Sequence, residues 1–383
     1  MKITDLKLYY VPVRFLYLKI ETDEGISGWG EPLVEGRAAT LEAAVNEWKK
    51  TLIGRDPLKV EEIWQTMYRG AFYRGGAVMM SAMAGIDQAL WDIRGKFYGV
   101  PIYKLLNGGV KERVKVYRSV CDGTLEEQIA DAKKLVQEGY SVMKTSPQQA
   151  THYIDSYEKV DEVVQRISAL QEVVGKGVSI GIDFHGRIHR PMAKRLAAAL
   201  EPLHMAFYEE PVLPENSEVL DTLRNYISTP IATGERMYSR WDFKQLLEKG
   251  RADILQPDLS HAGGISECYR IAAMAEAYDC AMAPHCPLSV IAFAACIQLD
   301  AATGNSVFQE QSVGIHDCTR KNPALQWIKN PEVFAYEDGF VKVPDGPGLG
   351  IEVDEELVEE ANRNPHDWKN PLWQTYDGAP IEW

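Results

Sequence analysis

The chain opens with apolar residues in alternation. LKLYYVPV and FLYLKIET place them at every second position and read as two strands, and DEGISGWGEP supplies the turn that follows. From about Thr40 the spacing lengthens to that of helices, and SAMAGIDQALWDIRGKFYG is a long apolar helical run. Pro101 and Gly108-Gly109 end it, so residues 1–110 are read as one α+β unit.

After Lys111 short apolar runs alternate with helical stretches. The runs are VKVYRSV, SVMKTS, SIGIDFH, AFYEEP, IATGE, ILQPD, AMAPH and SVFQEQ. Polar residues close six of them at Asp183, Glu209, Glu235, Asp258, His285 and Glu310, with gaps of 26, 26, 23, 27 and 25 residues. A strand-then-helix repeat of this length predicts a β/α barrel over residues 111–321, a modified TIM barrel. An open doubly wound sheet shares the alternation, but no GxGxxG follows a first strand and eight units are many for such a sheet. The tail, 322–383, loses the rhythm and ends in DWKNPLWQTYDGAPIEW. It is expected to leave the barrel and pack back on the N-terminal unit. No Gly/Ser linker separates the parts, so they should be rigidly joined.

Charge and composition narrow the partners. With 383 residues, 45% hydrophobic and 25% charged, the chain can bury a large core, and its formal net charge of −14 disfavours nucleic acid or anionic membrane as a partner. No run is long and apolar enough to span a bilayer, and the N-terminus reads as a strand rather than a signal peptide. Six scattered cysteines without CxxC spacing are expected to be reduced thiols, as in a cytoplasm. Cys286, next to a candidate histidine, reads as a packing residue rather than a nucleophile.

In a barrel, residues that end the strands converge on one mouth. Asp183, Glu209 and Glu235 would then meet. Three carboxylates repel one another unless a hard cation joins them, and all-oxygen ligation favours Mg²⁺ or Mn²⁺. Strand alternation turns Glu210 away and leaves Glu209 as the ligand. Asp258 and His285, on neighbouring strands, form a carboxylate–imidazole pair, and His185 shares the side of Asp183. Glu310 would face a bound carboxylate and help only when protonated. Lys144 is the local cation the acidic chain otherwise lacks. The other histidines read as surface or loop residues, with His261 a structural hydrogen-bonder.

The helix SAMAGIDQALWDIRGK, the three carboxylates, the Asp258–His285 pair, Glu310 and segments such as GIDFHGR, YEEPV and APHCPL resemble the mandelate racemase subgroup of the enolase superfamily over nearly the whole chain. The resemblance implies an α+β capping domain over the barrel mouth, with loops near Arg14–Tyr17 and Phe72–Gly76 selecting substrate through Arg14, Tyr73 and Arg74. It implies Mg²⁺ on Asp183, Glu209 and Glu235, with His285 as base and His185, as its imidazolium, as acid. The activity implied is dehydration of a sugar acid by a homo-oligomer, often an octamer. Many members carry Lys-x-Lys on the second strand, whereas this chain has Lys144-Thr145-Ser146. Ser146 is too weak a base to take a proton from carbon but can hydrogen-bond a substrate oxygen. A racemase or epimerase, which needs a base on each face of C2, is disfavoured on that ground. A non-catalytic sugar-acid binding protein is disfavoured because every member of the constellation is present.

Overall fold

The computed structural model describes residues 1–147, 151–375 and 377–382. The two N-terminal runs form β1 (Ile3–Val11) and β2 (Phe15–Thr22), and β3 (Ser27–Gly30) completes an antiparallel sheet in the order β1-β2-β3. Helices α1 (Ala38–Leu52), α2 (Val60–Arg69), α3 (Ala77–Tyr98) and α4 (Ile102–Leu106) follow. α3 is buried on nearly every face because it lies between this sheet and the barrel. The contact with β3 depends on glycine: a Cβ at Gly28 would lie 2.1 Å from the Ala89 carbonyl, and one at Gly30 would lie 2.0 Å from that of Gly85.

The barrel strands are β4 (Arg113–Ser119), β5 (Val142–Thr145), β6 (Ser179–Asp183), β7 (Tyr208–Glu209), β8 (Ile231–Thr233), β9 (Ile254–Leu255), β10 (Ala281–Met282) and β11 (Gln309–Glu310). Between them run α5 (Leu125–Gln137), α6 (Tyr157–Val174), α7 (Arg190–Leu200), α8 (Leu220–Leu223), α9 (Arg240–Lys249), α10 (Gly264–Ala277) and α11 (Val290–Ala302). Each strand from β4 to β10 pairs in parallel with the next. The parallel bridge Met282↔Ser306 and the β11–β4 pairing close the ring. Among the described residues no α-helix lies between β11 and the next strand, so the barrel has one helix fewer than strands.

The tail does two things. β12 (Tyr336–Glu337) and β13 (Phe340–Lys342) form a hairpin that pairs antiparallel with β4. The expectation that the whole of 322–383 leaves the barrel therefore fails for this part, because the first half of β4 offers β13 a free edge for hydrogen bonding. Beyond it, α12 (Glu355–Asn362) packs on β1: the Tyr10 amide donates to Asn362 and Lys19 pairs with Glu355. Among the described residues, no helix is long and apolar enough to cross a membrane.

Candidate active site

Strand register explains why the acids meet. Asp183 stands directly opposite Glu209 across β6 and β7, and Glu235 lies two residues beyond the end of β8. One carboxylate oxygen from each falls within 4.8 Å of the others. Lys144, on β5, points into the same space, with its Nζ 2.6 Å from Glu209, 2.7 Å from Glu310 and 3.3 Å from Asp183. Gln256 donates to the second oxygen of Glu209 at 2.7 Å. Beyond β9 and β10, Asp258 and His285 are bridge partners, and Asp258 Oδ2 accepts from His285 Nδ1 at 2.8 Å. That bond turns Nε2 inward, to 3.6 Å from Glu235 and 3.9 Å from Glu310. His185 occupies the facing wall. Its backbone takes φ +50° just after β6, its amide donates to Asp183 Oδ1, and its Nδ1 lies 3.1 Å from Asp183 Oδ2. Lys144, His185, Glu235, His285 and Glu310 line a cavity of about 410 Å³, joined by Arg14, Glu35, Ala77, Arg187, Arg236 and Asn370.

The electrostatics follow from four buried carboxylates around one lysine. Burial and the charge of Asp183 push Glu209 well above the ordinary carboxylate range, against the pull of Lys144. Burial, with Glu210 nearby, takes Glu235 to about 8. Burial alone would raise Asp183 too, but His185 and Lys144 hold it down at about 2. Asp183 Oδ2 and Glu235 Oε2 are buried without a hydrogen-bond partner among the described residues. Buried carboxylate oxygens that accept no hydrogen bond are costly. An all-oxygen donor set of this span, with two such oxygens, fits a hard divalent cation.

The neighbours of Glu310 and of the two histidines set the direction in which each is shifted. Burial works to raise Glu310, but Lys144 and His285 outweigh it and keep Glu310 below its usual range, with the Cys286 amide also donating to it at 3.0 Å. Glu310 thus stands as the ion-pair partner of Lys144. At His185 burial lowers the pKa and the charge of Asp183 opposes it, with burial the larger. His285 moves the other way: burial lowers it, yet Glu235, Glu310 and Asp258 together raise it well above the ordinary value.

Lys144, Asp183, His185, Glu209, Glu235, Asp258, His285 and Glu310 are therefore brought together, and Arg14 lines the same cavity. Tyr73 and Arg74 are not. Tyr73 is 89% exposed and Arg74 rests over the Tyr68 ring, because the turn between α2 and α3 projects outward and it is Ala77, at the start of α3, that reaches the cavity. Ser146 lies beside a small recess behind Asp183 and His185, and its carbonyl accepts from Arg166. Of the neighbouring segment TSPQQATHY, residues 148–150 lie outside the described residues.

Sequence reasoning missed the Glu210–Arg236 pair, at 2.6 Å, which carries Glu210 away from the acidic cluster while Arg236 also donates to the His185 carbonyl. It also missed Gln256 and Arg187. The adjacency of Arg236 to Glu235 was the available signal for the first. His261 does hydrogen-bond Ser81, at 2.9 Å, but it lines the cavity as well. Cys286 is buried, as a packing residue should be.

The N-terminal unit buttresses the His285 wall. Glu31, fully buried after β3, accepts from the Ser289 amide and hydroxyl and the Ala292 amide at the start of α11. Burial pushes this carboxyl up to about 7. Gln88 of α3 accepts from the Glu31 amide and donates to the Leu259 carbonyl. Asp87 holds Ser266 of α10 in the same way.

Residues 127–357 match the enolase C-terminal domain-like family and residues 12–107 the mandelate racemase / muconate lactonizing enzyme N-terminal domain. The chain is 53% identical to a D-galactonate dehydratase of Variovorax paradoxus and 51% identical to one of Pectobacterium atrosepticum, each over 383 residues and all of both chains. Among solved structures it is similar to an enolase from Agrobacterium radiobacter with sodium and L-malate bound (TM-score 0.90, 30% identity, 100% of each chain). It is also similar to an enolase-superfamily member from Salmonella Typhimurium (TM-score 0.87, 30% identity, 94% of this chain and 98% of the other). Barrel, capping sheet and acidic mouth thus agree with the matches along the sequence: the chain belongs to the mandelate racemase / muconate lactonizing enzyme family of the enolase superfamily.

Proposed function

We propose that the protein is a hydro-lyase that dehydrates a sugar acid, D-galactonate, to 2-keto-3-deoxy-D-galactonate. The observation that carries this reading is the meeting of three carboxylates, a His285–Asp258 pair and a facing His185 at one barrel mouth, where Glu235, His185 and His285 line the cavity. The chain that builds it is about half identical, end to end, to D-galactonate dehydratases. Asp183, Glu209 and Glu235 would hold Mg²⁺, which when bound stabilises negative charge growing on the substrate carboxylate.

The chain's own residues do the rest. His285 Nε2 takes the proton from C2, and Asp258 fixes the tautomer that leaves Nε2 as acceptor. Glu235, Glu310 and Asp258 pull the His285 pKa up. Its activity as a base therefore depends on the charge of Glu235 being neutralised. His185, on the opposite wall, acts as its imidazolium and delivers a proton to the departing C3 hydroxyl, which leaves as water. Lys144, already among Glu209, Glu310 and Asp183, supplies the fixed positive charge beside the reacting carboxylate. The enol product then tautomerises to the keto acid. A homo-oligomer is the proposed assembly, to be read by light scattering.

The test is incubation of the purified protein and Mg²⁺ with a panel of aldonic acids, followed by assay of 2-keto-3-deoxy product. Product from galactonate above all others supports the reading. No product from any aldonate at any Mg²⁺ concentration overturns it.

A further inference from the structure

Three arginines line the cavity, and two are already engaged. Arg236 is paired with Glu210, and Arg14 donates to the Pro287 carbonyl, lies 3.9 Å from Glu35 and rests over the Trp368 ring. Arg187 differs. Among the described residues it has no ion pair, and its Nε is buried without a hydrogen-bond partner. An acidic protein that leaves one cavity-lining guanidinium unpaired keeps a strong donor free.

What holds Arg187 comes from the far end of the chain. Its guanidinium lies over the Trp373 ring, 4.2 Å from the centroid. The segment carrying Trp373 is fastened at several points. Ile381 donates back to the Trp373 carbonyl, Glu382 lies 3.5 Å from His189, and Asn370 itself lines the cavity. The guanidinium face is thus covered by indole while its N–H edge is left unpaired.

We propose that the C-terminal segment builds part of the substrate site: Trp373 is a positioning residue that fixes Arg187, and Arg187 donates to the substrate hydroxyls beyond C3. This rests on the sugar-acid reading above. The carboxylate end belongs with Lys144 and the acidic cluster. Arg187 is two residues from His185, on the wall where the C3 hydroxyl leaves, so the remaining hydroxylated carbons come within its reach. A planar fork of N–H groups suits neighbouring hydroxyl oxygens, which a lysine would meet at one point only.

The experiment measures kcat and KM for the best aldonate with the full-length enzyme and with Arg187→Met, Arg187→Lys, Trp373→Ala, Trp373→Phe and the Arg187→Met/Trp373→Ala double variant. Equilibrium binding of a sugar-acid panel is measured in parallel. Arg187→Met should weaken KM by about tenfold to a hundredfold, the worth of a hydrogen bond from a charged group, with a smaller change in kcat. Arg187→Lys should fail to restore it. Trp373→Ala should raise KM by about threefold to tenfold, with Trp373→Phe recovering most of the loss. The double variant should be no worse than Arg187→Met, because Trp373 acts through Arg187. Unchanged KM and binding in Trp373→Ala, or additive losses in the double variant, would overturn the proposal. If the wild type turns over no aldonate, the functional reading has failed. The binding series still decides this one, since it needs no turnover.

Discussion

The two walls of the cavity are built on different principles. The His285 wall is fixed by buried hydrogen bonds: Asp258 holds the imidazole, and Glu31, Gln88 and Asp87 tie the loops around it to the N-terminal unit. On the His185 wall the chain turns through φ +50° at His185 and +59° at Gly186, and the imidazole Nδ1 has no hydrogen-bond partner among the described residues. Its cover is the C-terminal segment, through Trp373 over Arg187 and Glu382 near His189. The contrast matches the proposed chemistry. Proton abstraction from carbon needs an imidazole locked in one tautomer, while release of a hydroxyl needs a wall shaped around the substrate's oxygens.

Removing the shared centre should erase the difference between the walls. Chelation is expected to cut turnover on the order of a thousandfold or more, with Mg²⁺ restoring it, because transition-state charge loses its main partner. Full activity in thoroughly chelated protein would break the metal assignment. The sharpest test of the contrast replaces one histidine at a time in D₂O. His285→Asn should lose both C2 exchange and dehydration, by about a hundredfold to ten-thousandfold. His185→Asn should keep slow C2 exchange and lose dehydration. NMR of recovered substrate reads both, and normal dehydration by His185→Asn would reassign the acid.

Lys144→Met is expected to suppress every aldonate alike. It also leaves Glu209, Glu310 and Asp183 without their buried cation, and breaking a buried pair of this kind costs about 3–5 kcal/mol. Thermal unfolding with and without Mg²⁺ separates the two effects, since the ion should recover part of the stability but not the turnover. Ser146→Ala is the smallest change. Loss of one neutral hydrogen bond is worth about 0.5–1.5 kcal/mol, so affinity should fall by tenfold at most and kcat should persist. Equal, large losses in Ser146→Ala and Lys144→Met, measured across the aldonate panel, would give Ser146 a catalytic part.

Strand-end residues could be read from the chain because their placement is a local property repeated around a ring. The 25-residue rhythm sets the phase of Asp183, Glu209, Glu235, Asp258, His285 and Glu310, and closure of the barrel turns equal phase into proximity. The loop residues had no such rule. Tyr73 and Arg74 sit in a turn whose direction depends on how α2 and α3 pack, and the structure turns it outward. The β13 pairing with β4 was hidden for the same reason, since FVK is too short to signal a strand by itself.

By itself, then, the sequence determined the barrel, the acidic ring and the two histidines, because period and strand polarity act within a few residues of each side chain. Only the tertiary structure decided which groups pair, and with that which are charged. Lys144 meets three carboxylates, Glu310 among them, and Glu210 goes to Arg236 rather than to the acidic cluster. It also placed Trp373 against Arg187. These outcomes depend on contacts between residues far apart in the chain and on the desolvation that burial imposes, and neither leaves a periodic trace in the order of amino acids.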